Sequence, residues 1–273
     1  MRKQKVAKND FTEDNLPHNR VEMFFDIIKQ RYDVLLMIGA MMLVFSLPFL
    51  AVEAIGEITY INMLKEGITS SEKLYALRQT ISLINLGPTA VFGFVLSGLM
   101  RIVRNLVWGE PIFFRKDFFS GIRQNWIFFV FVFLIIAIIR LLLSYVDGLI
   151  QNDFVRAVPT VLCLALLLPV GLYVLSATVV YKDGFLAILK NSLKFFVKSA
   201  PVCFLFVFVI VGVFYINFIG LLILRLALSV VAIVAVLPLY LVGWTLYSHS
   251  IFDKMVNSTL YPEYVDKGIH RLH

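Results

Sequence analysis

The sequence predicts an all-α, polytopic membrane protein, and three observations predict it. Of 273 residues, 60% are hydrophobic and only 16% charged, a balance that one soluble core cannot hide. The mean hydropathy is +0.85. The apolar residues gather into runs of about 20, the length a helix needs to cross a hydrocarbon core, and basic residues crowd between alternate runs.

Taken in order, the first 33 residues are polar and basic. The first apolar run therefore begins too far in for a secretory leader, and no small-residue cleavage site follows it. Residues 1–20 read as a disordered cytoplasmic polar tail, 21–252 as the transmembrane helical domain, and 253–273 as a cytoplasmic tail. Six spans are expected at 34–54, 81–103, 126–146, 157–181, 201–215 and 227–248. The fifth is the shortest, and "INFIGLLILR" follows it after a brief break, so a re-entrant pair is an alternative there.

The net charge of +7 and a pI of 9.4 would suit nucleic acid, but the placement of the bases explains them better. Of 25 lysines and arginines, 19 fall on the side of the two termini, 5 on the other, and Arg140 inside a span. This positive-inside pattern puts both termini in the cytoplasm, and no nucleic-acid partner is expected.

One phrase recurs. "FFDIIKQRY" begins at Phe24 and "FFSGIRQNW" at Phe118, each leading into an apolar run. On a helical wheel Phe24, Phe25, Ile28 and Tyr32 oppose Glu22, Asp26, Lys29 and Asp33; Phe114, Phe118, Phe119 and Ile122 oppose Lys116, Ser120, Arg123 and Gln124. Such segments suit amphipathic helices lying in the cytoplasmic headgroup region. A third candidate sets Phe185, Leu189, Leu193 and Phe196 against the lysine stripe Lys190, Lys194 and Lys198. The even spans hold "GPTAVFGF", "LPVGLY" and "LPLYLVGW". A threefold internal repeat of interfacial helix, span outward and span back is the expectation, set against the ease with which Phe-rich sequence matches itself.

The stretch from Gly87 to Trp126, with Gly87, Pro88, Arg104, Gly109, Glu110, Phe114, Asp117, Phe118, Phe119 and Asn125, resembles the YesL-like family of bacterial integral membrane proteins, a family of unknown function. "YKDGFLAILKNSLKFF" resembles the family's later cytoplasmic segment, whereas Trp108 stands where a basic residue is expected and the chain before Asn19 has no counterpart. The resemblance implies a multi-pass protein of the bacterial plasma membrane and an accessory role near carbohydrate uptake. It supplies no catalytic residue.

No phosphate-binding loop, HExxH, GxSxG or EF-hand pattern occurs, and His18, His249, His270 and His273 lack ligand spacing, so neither an enzyme nor a metal or other cofactor is expected. His249 reads as an interface residue, and Cys163 and Cys203 as reduced residues of apolar runs. Arg140 stands about 21 Å above Trp126 at 1.5 Å per residue, level with Glu53, so an Arg140 to Glu53 ion pair and contact with a solute are both expectations. Pro48, Pro88, Pro169 and Pro238 interrupt spans, and Gly93, Gly98, Gly171 and Gly243 permit close helix approach. Lys190, Lys194 and Lys198 would meet anionic membrane lipid or, alternatively, a transporter subunit. The expected function is a noncatalytic accessory or scaffold protein beside a carbohydrate transporter; the alternative is a small-solute permease.

Overall fold

The computed structural model describes residues 17–68, 70–149, 153–214, 216 and 220–269. The expected polar tail lies outside them up to residue 16, as do His270 and His273. The described residues form helices and turns. They are α1 (Arg20–Gln30), α2 (Tyr32–Lys65), α3 (Ser71–Ile84), α4 (Leu86–Val107), α5 (Phe114–Leu149), α6 (Asp153–Leu162), α7 (Leu168–Val180), α8 (Phe185–Phe214), α9 (Leu222–Val231), α10 (Leu237–Phe252) and α11 (Ser258–Leu260). Among the described residues six helical stretches are long and apolar enough to cross a membrane: Tyr32–Lys65, Ser71–Val107, Phe114–Val146, Val158–Val180, Phe185–Val213 and Ile223–Leu260. This is the architecture of a multi-pass membrane protein. The fifth and sixth are separate long helices among the described residues.

Local chemistry sets where α1 begins and ends. The Asn19 carboxamide accepts from the Val21 and Glu22 amides at 3.0 and 2.9 Å, and Glu22 reaches back to the His18 amide at 2.8 Å. Three amides at the helix start, which the helix itself cannot satisfy, thereby gain partners. At Arg31 the backbone leaves helical geometry (φ −127°, ψ 27°), and α2 starts at the next residue. The other two expected interfacial helices are not separate elements: "FFSGIRQNW" and the lysine-striped segment form the first turns of α5 and α8.

The wheel assignments also change in detail. Along α5 the inward face is Asp117, Phe118, Gly121 and Asn125, while Phe119 is 59% exposed. Along α8 it is Ile188, Ser192, Phe195 and Ser199, with Leu193 turned out beside Lys194. Composition missed this because serines and glycines, not only large apolar groups, are what let these helices come close. At the α4–α5 crossing a Cβ on Gly98 would sit 2.7 Å from the Phe118 carbonyl oxygen, and one on Gly121 would sit 2.9 Å from the Gly98 Cα. Gly93 faces Phe133 in the same crossing. Gly171 and Gly243, by contrast, stand in ordinary contact, with room for a Cβ at 3.7 Å or more.

The two described ends of the chain meet at one end of the bundle, termed basal, through Arg20 and Asp253; the α2–α3 turn marks the opposite, apical end. The basal half is the core. Trp244, Tyr173, Phe129, Phe195 and Phe252 are fully buried there, with Tyr173 and Trp244 edge to face at 4.9 Å.

Each even span is irregular just before its proline. Asn85 interrupts the helix ahead of Leu86-Gly87-Pro88, and five-residue π-helical segments, Cys163–Leu167 and Ala232–Val236, precede Leu168-Pro169 and Leu237-Pro238. Proline lacks an amide hydrogen and its ring crowds the carbonyl four residues back, so the preceding turn widens or breaks. Burial changes at the same points. α4, α7 and α10 are largely buried beyond them, whereas only Ser82, Asn85 and Ala232 are buried among the described side chains of 71–85, 153–167 and 220–236.

Candidate functional site

At the basal end Arg104, Gly109, Glu110 and Asp117 come together about the turn between α4 and α5. Gly109 takes φ +65°, a left-handed conformation suited to glycine. Asp117 accepts from the Phe113 amide at 2.8 Å and starts α5. Arg104 gives hydrogen bonds to the Val179 carbonyl at 3.0 Å and to Asn105 Oδ1 at 2.8 Å, and lies 3.8 Å from Glu110. It therefore ties the end of α4 to the end of α7. Gly87 and Pro88 stand apart at the start of α4, and Lys190, Lys194 and Lys198 remain exposed along α8.

The segment expected as a tail, 253–273, folds back onto this turn as far as it is described. Lys267 Nζ lies 2.7 Å from Glu110 Oε1 and 4.0 Å from the centre of the Trp108 ring, which Arg104 also approaches at 4.5 Å. Trp108, standing where a base was expected, thus collects two bases against its ring. Its Nε1 donates to His249 Nδ1 at 3.1 Å. His249 is 5% exposed, which corrects its reading as an interface residue. Arg20 pairs with Asp253, whose other oxygen accepts from Asn257 Nδ2 at 2.7 Å; Asn257 in turn accepts from the Tyr181 hydroxyl at 2.6 Å. Burial, then the nearby Asp253 carboxylate, pushes the Tyr181 phenol above its ordinary pKa. Apart from Arg104 with Trp108 and Asp253 with Asn257, each pair four residues apart, sequence spacing offers no signal for these contacts, since their partners are 76 or more residues away in the chain.

At the apical end the structure brings Arg140 and Glu53 together, Nη2 to Oε1 at 2.6 Å. Asn85, at the break between α3 and α4, donates to the same oxygen at 2.5 Å. One helical turn along α2, Glu57 pairs with Arg225 of α9. α2 is therefore tied to α5 and α9 by two charges spaced i, i+4, which lie on one helix face.

A cavity of about 710 Å³ opens beside these pairs. Its wall comes from α2 (Glu53, Glu57, Tyr60), α3 (Tyr75, Arg78), α5 (Arg140, Ser144) and α6 (Thr160). The lining runs inward as far as Glu53, Ser82 and Arg140. Among the described residues no group of three or more His, Cys, Asp or Glu is placed to hold a metal ion. Comparison of the chain with family models, with curated proteins and with solved structures finds no match.

Proposed function

We propose that this protein is a noncatalytic accessory or scaffold protein of the bacterial plasma membrane, working beside a carbohydrate uptake system, with its basal end in the cytoplasm. One observation carries the reading. The basal half is packed and laced by hydrogen bonds from Arg20, Arg104, Trp108 and Asn257, while the cavity's lining stops at Glu53, Ser82 and Arg140. A path for solute through the bundle would have to cross that core. The crowding of bases at the basal side supports the orientation, and the resemblance of 87–126 to YesL-like proteins supports the association with sugar uptake.

Aromatic and basic side chains at this end fit contact with anionic lipid. Phe25 is 62% exposed and Tyr32 63%, and Phe113 and Phe119 stand open beside Arg115 and Lys116. Rings and bases of this kind favour the headgroup region. The first turns of α5 and α8, with α1, are the interfacial segments of this reading.

A permease is the second reading, favoured by the irregularity before Pro88, Pro169 and Pro238 in all three even spans. If the three units are repeats, these points are the joints at which apical halves would tilt.

Affinity purification of the full chain from its native membrane, with identification of what accompanies it, separates the two. Stoichiometric recovery of a transporter subunit supports the accessory role. Solute flux in liposomes holding this protein alone supports the permease and overturns the scaffold.

A further inference from the structure

The apical cavity offers an unusual set of groups. Among the described residues its lining holds two carboxylates, Glu53 and Glu57, and two guanidinium groups, Arg78 and Arg140; Glu53 is already paired with Arg140 and Glu57 with Arg225.

The pairs are also single-pronged. Glu53 uses Oε1 for both Arg140 and Asn85, and Glu57 uses Oε2 for Arg225. Among the described residues Glu53 Oε2, Glu57 Oε1 and Arg140 Nη1 and Nε take part in no hydrogen bond. The Glu53, Glu57 and Arg140 side chains are 38%, 37% and 43% exposed, and all three line the cavity. Spare acceptors on α2 and spare donors on α5 therefore share the cavity without either pair having to open.

A ligand bearing separate ammonium and carboxylate charges would have to compete with partners already in place. A hydroxyl is different, because it donates and accepts at once. Vicinal hydroxyls can give protons to the spare carboxylate oxygens and accept from the guanidinium beside them, leaving both pairs intact. Tyr60 and Tyr75 add two rings whose faces can cover apolar C–H patches, and each carries a hydroxyl of its own. The volume lies within the 300–1,000 Å³ or so of small-molecule sites.

We propose that this cavity binds a neutral polyhydroxylated solute, a mono- or small oligosaccharide, between the Glu53–Arg140 and Glu57–Arg225 pairs. The proposal rests on reading the chain as a membrane protein associated with solute uptake, and it adds the ligand class and the residues that read it.

Calorimetry on the full chain in lipid nanodiscs tests it, with glucose, maltose and myo-inositol as neutral probes, glycine betaine as zwitterion and glucuronate as anion. Expected is saturable binding of at least one neutral probe, weakened about tenfold by Glu57→Gln and by Tyr75→Ala, the loss of one charge-assisted hydrogen bond or one ring contact. Tyr75→Ala, on exposed α3, keeps the test open should Glu57→Gln unfold the protein. Binding of betaine or glucuronate with the neutral probes silent overturns the proposal, as does silence of all five on folded protein or binding that both variants leave unchanged. Partner recovery from native membrane is scored separately, so the accessory role and the sugar site can each fail alone.

Discussion

Glu53 and Arg140 meet at 2.6 Å across 87 residues of sequence, and Asn85 joins them through the same carboxylate oxygen. The contact fastens α2 to α5 at the point where α3 turns into α4. Both side chains are more than a third exposed, so solvent or headgroups screen the pair. Arg140→Leu and Glu53→Leu are each expected to cost on the order of 1 kcal/mol, and the double variant less than their sum. Thermal unfolding of the four proteins in one detergent measures the coupling. Strict additivity would mean the pair contributes nothing.

Gly98 and Gly212 make a contrast within apolar helices. A side chain at Gly98 meets the Phe118 carbonyl, which cannot move away, whereas a Cβ at Gly212 meets nothing within 4 Å. Gly98→Ala should destabilise by about 1–3 kcal/mol. Gly212→Ala should be neutral or stabilise by up to about 1 kcal/mol. Equal melting temperatures for the two variants would contradict the close crossing of α4 and α5.

Two basal ion pairs should differ in weight. Lys267–Glu110 is a third exposed on both sides, and Lys267→Ala is expected to cost about 1 kcal/mol or less, with faster hydrogen exchange confined to 262–269. Arg20 and Asp253 are only 17% and 10% exposed, so Arg20→Ala leaves a carboxylate without its partner and should cost about 3 kcal/mol. Exchange that rises across α10 in the Lys267 variant would show the tail to be part of the core's support.

Orientation has a direct readout. In a background of Cys163→Ala and Cys203→Ala, a cysteine at exposed Tyr60 should react with an impermeant maleimide in whole cells, and one at exposed Glu263 only after the membrane is opened. The reverse pattern would invert the protein and remove the basis for a cytoplasmic basal end.

Tyr181 links stability to alkaline pH. Its pKa is raised in the folded protein, chiefly by burial. The folded state therefore keeps its proton after the unfolded chain has lost it, and stability is full below about pH 10 and falls as pH rises toward the folded value. Tyr181→Phe should flatten that decline while costing about 1 kcal/mol at neutral pH, because the 2.6 Å bond to Asn257 Oδ1 is lost. Denaturation midpoints between pH 8 and pH 11 would show an unchanged slope if the phenol were in fact open to solvent.

The length and greasiness of its segments, written locally, decided six long helices, because lipid offers no partner for an exposed amide and a helix satisfies its own, but not their ends, which run past the apolar runs by up to 16 residues. The prolines of the even spans were legible for the same reason, since their effect reaches only one turn. Glu53 and Arg140 could be paired on paper by counting rise along two helices. Which face of each helix turns inward was another matter. Ser192 and Gly121 went inside while Leu193 and Phe119 went out, because small side chains are what let these helices approach closely. Tertiary structure alone decided that Lys267 returns to Trp108, that Arg20 finds Asp253, and that α3 and α5 part widely enough beside Glu57 to leave a cavity. Those contacts join residues from distant parts of the chain, and no local pattern of charge or hydrophobicity specifies which distant surface will arrive.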